Sequence, residues 1–231
     1  MLAAVHTEPK SEGKTVTRRE RFQRLLDATR VYAITDHSLS EPALMSATMK
    51  LLDAGIRVFQ FRDKQPADAR RVALATRLGE MIHAAGGMLI VNDRVDIAIA
   101  AGADGAHLGQ DDLPFVAGRA MLGPDRVLGV SASYLDEIGP ACAAGIDYLG
   151  FGAVFATGTK PDAEYAGLEL FARACQAASV PVVGVGGISI ARAPSVVAAG
   201  GRAVAVVSAL YQADDPFGAA QQLLETARAA G

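Results

Sequence analysis

From Val31 onward the chain alternates between two textures. Short runs rich in Val, Ile and Gly stand between longer stretches rich in Ala and Leu. The short runs are VYAIT (31–35), RVFQF (57–61), MLIVN (88–92), GAHLG (105–109), VLGVS (127–131), YLGFG (148–152), PVVGVGG (181–187) and AVAVVS (203–208). Stretches of helical character follow most of them, as at 67–85, 134–144, 167–178 and 189–199. Strand–helix alternation predicts parallel strands joined by crossover helices. Eight such units fit a single (β/α)8 TIM barrel at the small end of its size range, with an open doubly wound sheet as the rival. Ahead of it, TRRERFQRLLDAT reads as an amphipathic helix leading into the domain. The expected division is a flexible polar extension over residues 1–16 and a barrel domain with an N-terminal helix over 17–231.

Side chains alternate between faces along a strand. In RVFQFRDK, Phe59 and Phe61 therefore share one face, and Val58, Gln60 and Arg62 share the other. The phenylalanines are expected to pack on the surrounding helices, which turns Gln60 and Arg62 inward. An inward charge is costly unless paired or wet, and it is tolerable at the carboxyl end of a strand, where Arg62 falls. Gly129, Gly150, Gly152, Gly184 and Gly186 lie in or near strands 5 to 7. Glycine in a strand often marks a close approach of backbone or ligand. If these share the inner face, the mouth is hollow on that side, a smooth wall opposite a polar wall from strands 2 to 4; easing of tight barrel packing is the plainer reading.

Composition narrows the function. A formal charge of −3 gives no reason to expect nucleic acid or a membrane surface as partner. No apolar run is long enough to span a bilayer, and the opening MLAAVHTEPKSEGKT lacks the apolar core of a secretory signal. Cys142 and Cys175 lack metal-ligand spacing and read as buried reduced thiols. A cytoplasmic location is expected, and a homo-oligomer is compatible with the sequence.

In a barrel of this kind the groups at the carboxyl ends of the strands form one site. They are Gln60, Arg62 and Lys64; Asn92 and Asp93; Gln110, Asp111 and Asp112; Ser131; Thr157, Thr159 and Lys160; Gly186 and Gly187; Val207 and Ser208. Three clusters emerge. Asp93 and Asp112, from neighbouring strand ends, could hold a hard divalent cation such as Mg2+, which often binds through one or two carboxylates and completes its shell with water and phosphate oxygens. Asp111 would then face elsewhere, and capping of the next helix is the competing reading for Asp93. Arg62, Lys64 and Lys160 could neutralise a diphosphate, although Lys64 alone reads equally well as a surface lysine. The turns GVGGIS and AVVSAL after strands 7 and 8 could hold a second phosphate through backbone N–H groups. The loop from about residue 153 to 167 is long enough to serve as a lid. His107 reads better as a hydrogen-bonded interior histidine than as a catalytic one, and His6, His37 and His83 look peripheral. Two phosphate-bearing small molecules suit a transfer reaction better than an isomerisation.

The stretches YAITD, VFQFRDK, VNDRVDIAIAAGADGAHLGQDDL, LGVSAS, DYLGFGAVFATGTK, GVGGIS and AVAVVSAL, in that order over roughly residues 31–210, resemble the thiamine-phosphate synthase (thiamine-phosphate pyrophosphorylase) family. The resemblance implies a (β/α)8 catalytic domain. It implies a transferase that joins 4-amino-2-methyl-5-(diphosphooxymethyl)pyrimidine to 4-methyl-5-(2-phosphooxyethyl)thiazole and releases diphosphate. By motif position it implies that Gln60, Phe61, Arg62, Asp63, Lys64 and Asn92 hold the pyrimidine diphosphate. Asp93 and Asp112 would bind Mg2+, and Ser131 and Lys160 would contact the pyrimidine substrate. Thr157, Gly158, Thr159, Gly187, Val207 and Ser208 would hold the thiazole phosphate. Arg62, Lys64, Lys160 and Ser131 would carry the chemistry. The family commonly has prolines where this chain has Ala153 and Ala156. A thiazole tautomerase on the same barrel needs no diphosphate cluster, and a non-catalytic phosphate-ligand sensor would bind without releasing diphosphate; these are the alternatives.

Overall fold

A computed structural model of the chain describes residues 16–65, 67–156 and 166–231. Helix α1 (Arg18–Thr29) precedes strand β1 (Val31–Ile34). There follow α2 (Glu41–Ala54), β2 (Val58–Phe61), α3 (Asp68–Ala84), β3 (Met88–Asn92), α4 (Val95–Ala100) and β4 (Gly105–Leu108). The second half runs α5 (Phe115–Leu122), β5 (Val127–Ala132), a 3-10 turn (Leu135–Glu137), α6 (Ile138–Ala143), β6 (Tyr148–Phe151), α7 (Gly167–Ala177) and β7 (Val182–Val185). It closes with α8 (Ala193–Ala198), β8 (Ala203–Val206), α9 (Ser208–Tyr211) and α10 (Pro216–Ala229). The strands pair in parallel in sequence order, and β8 returns to β1 through Val31↔Val204, so the sheet is a closed eight-stranded barrel rather than an open one. The stretch expected as one helix over 134–144 is split between the 3-10 turn and α6, and the one over 189–199 begins only at Ala193.

Closure follows from residues that are apolar on both faces. The outward set includes Phe59, Phe61, Leu89, Val91, Leu128, Leu149 and Val204, all buried against the helices. The inward set includes Tyr32, Val58, Met88, Ile90, Val127, Tyr148 and Val183. Four similar turns feed strands from the helices before them: AGIRVF (54–59), AGADGA (101–106), AGIDYL (144–149) and AGGRAV (199–204). In each the glycine (Gly55, Gly102, Gly145, Gly200) has a positive φ. That left-handed conformation ends a helix and reverses the chain at no steric cost to glycine.

The helix before Val31 is the plug of the amino-terminal end of the barrel. Thr17 caps it, accepting from the Glu20 N–H while the Glu20 carboxylate accepts from the Thr17 N–H. Its Phe22 is fully buried among the inward residues, with its ring centroid 4.8 Å from that of Tyr148. Burying Phe22 and Leu26 contributes about 1.5–3 kcal/mol each. Charges on α1 meet opposite charges on the helix-to-strand turns. Arg18 lies 3.6 Å from Asp104, and Asp27 accepts from Arg202 Nη2 at 2.6 Å. Arg19 lies against Asp147, whose other oxygen accepts from Arg119 Nη2 at 2.6 Å. The Asp147 Oδ1 facing Arg19 has no aligned hydrogen bond, so its charge there is met by proximity alone.

Among the described residues no helix is long and apolar enough to cross a membrane. Cys142 and Cys175 are both free, as expected, but half-buried rather than buried.

Candidate active site

Parity along β2 sets the first wall. Gln60 and Arg62 are buried, at 4% and 9% exposure. Gln60 Nε2 donates to the Tyr32 hydroxyl inside the barrel at 3.2 Å. The Arg62 backbone is clamped by Thr35, whose hydroxyl accepts from the Arg62 N–H at 2.8 Å and donates to the Arg62 carbonyl at 3.2 Å. The same alternation corrects two expectations. Phe61 belongs to the helix-facing core, so its side chain does not reach the mouth. Asp63 turns toward α3, where it accepts from Arg70 Nη1 at 2.5 Å and from the Gln65 N–H at 2.8 Å. Lys64 is exposed, yet close enough to Asp93 for its charge to be felt there.

The second wall is acidic. Asn92 ends β3, in register with His107 of β4. Asp93 follows with φ 64°, a left-handed backbone that Asp tolerates better than most residues. Its N–H donates to the His107 carbonyl at 2.8 Å. It is not the N-cap of α4, a position held by Arg94, whose side chain makes no capping hydrogen bond and pairs instead with Asp68 and Asp96. The Asp93 side chain instead meets Asp112. Asp112 is steered there by its own loop, because its Oδ2 accepts from the Gly109 N–H at 2.7 Å. Asp93 is pushed up to about 6, first by burial and then by the Asp112 charge and hydrogen bond, with Lys64 and Arg62 pulling the other way. A half-buried carboxylate whose ionisation is opposed by burial and by a second carboxylate beside it forms, with that neighbour, a donor set suited to a divalent cation. Among the described residues no cluster of three or more His, Cys, Asp or Glu could hold a metal. A Mg2+ ion held by this pair would have two carboxylate ligands from the described residues. Asp111 is exposed.

The glycine reading needs correction. Gly184 faces outward, and a Cβ there would lie 2.4 Å from Val196 Cγ1 of α8. Gly129 is inward, but its space is filled by the Tyr148 ring, 2.1 Å from where a Cβ would stand. Gly150 adjoins His107, and Gly152 the Val185 carbonyl. These glycines admit protein groups from neighbouring elements rather than leaving a smooth hollow.

At the third wall, Ser131 is half-buried at the end of β5. Its Oγ lies 2.8 Å from His107 Nε2, and its carbonyl accepts from Gln110 Nε2 at 2.7 Å. Gly187 has φ 63°, and a Cβ there would lie 2.4 Å from the Ala156 carbonyl, so only glycine fits between the turns after β6 and β7. Arg192 donates to the Gly187 carbonyl at 2.9 Å and stands 4.8 Å above the Phe155 ring. It ties these two turns together, a contact the sequence reading missed. Val207 and Ser208 begin α9 beside β7 and β8. Thr157, Gly158, Thr159 and Lys160, and with them most of the proposed lid, lie outside the described residues, as do residues 1–15 and His6.

Three comparisons bear on this geometry. A family model described as thiamine monophosphate synthase matches residues 31–210. The chain is 42% identical to the thiamine-phosphate synthase of Haloarcula marismortui over 84% of this chain and 94% of that protein. It is 47% identical to the thiamine biosynthesis bifunctional protein ThiM/ThiE of Symbiobacterium thermophilum over 78% of this chain. The first of these curated relatives are longer: the chain spans 38% of the Symbiobacterium protein and 56% of a Nostoc thiamine-phosphate synthase. Among solved structures, the thiamine phosphate pyrophosphorylase of Pyrococcus furiosus superposes with a TM-score of 0.82 at 30% identity, over 89% of this chain and 98% of that one. The match begins at the first barrel strand and ends within α9, so it takes in the three walls together, and the chain belongs to the thiamine monophosphate synthase family.

Proposed function

We propose that this chain is a thiamine-phosphate synthase. It joins 4-amino-2-methyl-5-(diphosphooxymethyl)pyrimidine to 4-methyl-5-(2-phosphooxyethyl)thiazole and releases diphosphate. The observation that carries this reading is the convergence of Arg62, Lys64, Asp93 and Asp112 at the carboxyl ends of β2, β3 and β4, two cations beside a carboxylate pair. An isomerase acting on the thiazole phosphate has no use for that cluster.

Asp93 and Asp112 would hold Mg2+, which supplies positive charge to the diphosphate oxygens when bound. Arg62 offers its guanidinium fork to the same diphosphate, and Lys64 and Lys160 offer point charges. Gln60, Asn92 and Ser131 orient the pyrimidine substrate. Gly187, Val207 and Ser208, together with Thr157, Gly158 and Thr159, take the thiazole phosphate. The bond from the pyrimidine methylene to the diphosphate oxygen breaks with both electrons leaving on oxygen. Cation character on the methylene is spread into the aminopyrimidine ring. The thiazole nitrogen then donates its lone pair to form the new C–N bond. No protein nucleophile is needed, and the chain contributes leaving-group electrostatics and alignment.

Diphosphate release is measured with both substrates, with and without Mg2+, and with each substrate alone. Release is expected only with both substrates and Mg2+. Asp93→Ala and Lys160→Ala are each expected to lower turnover by about 10²–10³-fold while the protein stays folded. Interconversion of thiazole tautomers without diphosphate release, or binding of both ligands without turnover, overturns the reading, as do wild-type rates in either variant.

A further inference from the structure

A line of polar groups crosses the barrel interior, and only its two ends have a task in the reading above. Gln60 Nε2 donates to the Tyr32 hydroxyl at 3.2 Å, and the Tyr32 and Tyr148 hydroxyls are 2.9 Å apart. The Tyr148 hydroxyl lies 2.9 Å from His107 Nδ1, and His107 Nε2 lies 2.8 Å from Ser131 Oγ. Five strands contribute one member each. The glycines at 129 and 150 make room for it, the first admitting the Tyr148 ring and the second adjoining the imidazole. Tyr32 and Tyr148 are at most 1% exposed, and burial pushes both phenols well above their ordinary range, so each keeps its single proton.

Those protons can be counted. The Gln60 amide N–H occupies the Tyr32 oxygen, so the Tyr32 proton faces the Tyr148 oxygen. The Tyr148 proton then faces His107 Nδ1. A neutral imidazole that accepts at Nδ1 carries its proton on Nε2, and that proton is directed at Ser131 Oγ. Ser131 accepts it, which leaves its own hydroxyl proton free to point out of the ring. With the Gln60 amide oriented so that Nε2 donates to Tyr32, running the line in the opposite sense would set the Tyr32 proton against the Gln60 N–H; only an amide turned over, offering its oxygen, would accept that sense.

We propose that His107 is a positioning residue, held as the Nε2–H tautomer by the Gln60–Tyr32–Tyr148 line, and that it makes the Ser131 hydroxyl a donor aimed at an acceptor atom of the pyrimidine diphosphate. This rests on the reading that Ser131 contacts that substrate. Tyr148 itself is sealed between Phe22 and the barrel wall, so its hydroxyl acts on the substrate only through its hydrogen-bonded neighbours, His107 toward Ser131 and Tyr32 with Gln60 on the other side.

The tautomer is read directly from the 15N resonances of the His107 ring in the substrate-free, uniformly labelled protein. The expected spectrum shows a protonated Nε2 and a bare Nδ1. An Nδ1–H tautomer or an imidazolium overturns the proposal. This measurement needs no variant and no turnover. In kinetics, Tyr148→Phe is expected to lower kcat for diphosphate release about tenfold with KM changed less than about twofold, and to raise the Nδ1–H fraction. His107→Gln, which can place an amide N–H where Nε2 stood, is expected to stay within about fivefold of wild type. His107→Asn, whose amide reaches only the place of Nδ1, is expected to fall to the level of Ser131→Ala. Equal rates for the Gln and Asn variants, or a wild-type rate for Tyr148→Phe, overturn it. A wild-type rate for Ser131→Ala with the Nε2–H tautomer intact overturns the substrate contact at Ser131, and the proposal with it. An Nδ1–H tautomer with a slow Ser131→Ala overturns the proposal and leaves that contact standing.

Discussion

Replacing Asp93 by asparagine should make the metal-free protein more stable while abolishing its activity. Without a cation, Asp93 and Asp112 face each other at a half-buried strand end, and Asp93 is pushed from 3.8 to about 6, first by burial and then by its neighbour. In the unfolded chain an aspartate titrates near 3.9. Between those two values the native state binds more protons than the unfolded state, so this group's contribution to stability is full below about pH 4, falls as pH rises to about 6, and stays low above. The whole shift is worth about 3 kcal/mol. Solvent screening at a half-buried pair reduces that to about 1–2 kcal/mol. Asparagine tolerates the left-handed backbone at this position, carries no charge, and can donate to Asp112 at every pH. In EDTA at pH 8, Asp93→Asn is therefore expected to melt about 3–6 °C above wild type. The gap should close toward pH 4. Mg2+ binds only the native pair, so it should raise the wild-type Tm at pH 8 with a concentration dependence that the variant lacks. Melting followed by circular dichroism at three pH values, with EDTA or Mg2+, measures all of this. A metal-free variant that melts at or below wild type at pH 8 refutes the argument that the two carboxylates oppose each other, and a wild-type Tm indifferent to Mg2+ refutes the assignment of the pair as a cation site.

Two further predictions test the supports of the site. Thr35→Val removes the hydroxyl that brackets the Arg62 backbone and should lower kcat/KM about tenfold, whereas Thr35→Ser should retain most activity; equal losses in steady-state assays would mean that packing, not the hydrogen bond, matters there. Phe22→Ala should destabilise the fold by about 3–5 kcal/mol in chemical denaturation without changing KM in the folded fraction, because the ring fills the amino-terminal end of the barrel.

Much of the fold was legible because a parallel strand covered on both faces leaves an unbroken apolar run. The alternation in RVFQFRDK was enough to turn Gln60 and Arg62 inward and Phe59 outward. It also carried a warning that the family resemblance overrode: Phe61 and Asp63 sit at the wrong parity for the mouth, and the structure turns both away. Several strands end sooner than their apolar runs suggested, as at Thr35, Gly109 and Gly152. Those residues leave the ladder to serve the site: Thr35 holds Arg62, and Gly109 holds Asp112. What the sequence could not show is what stands across from a residue on the next strand. Gly129 is in register with both His107 and Tyr148. Without that register, a glycine that admits a tyrosine ring looks the same as one that leaves a hollow. For the same reason nothing in the sequence singles out Tyr32 or Tyr148. The amphipathic stripe of α1 was visible, but its destination inside the barrel, with Arg18, Arg19 and Asp27 each opposite a turn of complementary charge, depends on closure of the ring.

The two ends of this barrel are built in opposite senses. The amino-terminal end gathers favourable terms: a buried Phe22, paired charges between α1 and the turns, and glycine-capped helices feeding the strands. The carboxyl-terminal end gathers unfavourable ones. Asp93 has a left-handed backbone and a like-charged neighbour, Arg62 is nearly buried, and Gly187 admits no other side chain. Strain of this kind persists only where the surrounding structure over-determines it. The link between the ends is the inward polar line, whose middle member Tyr148 lies beside Phe22 and which surfaces at Ser131. A substitution at the plug should therefore register chiefly as lost stability, and one at the mouth chiefly as lost chemistry. One on the line between them, as at Tyr148, should cost both stability and chemistry, whereas Asp93→Asn at the mouth trades chemistry for stability.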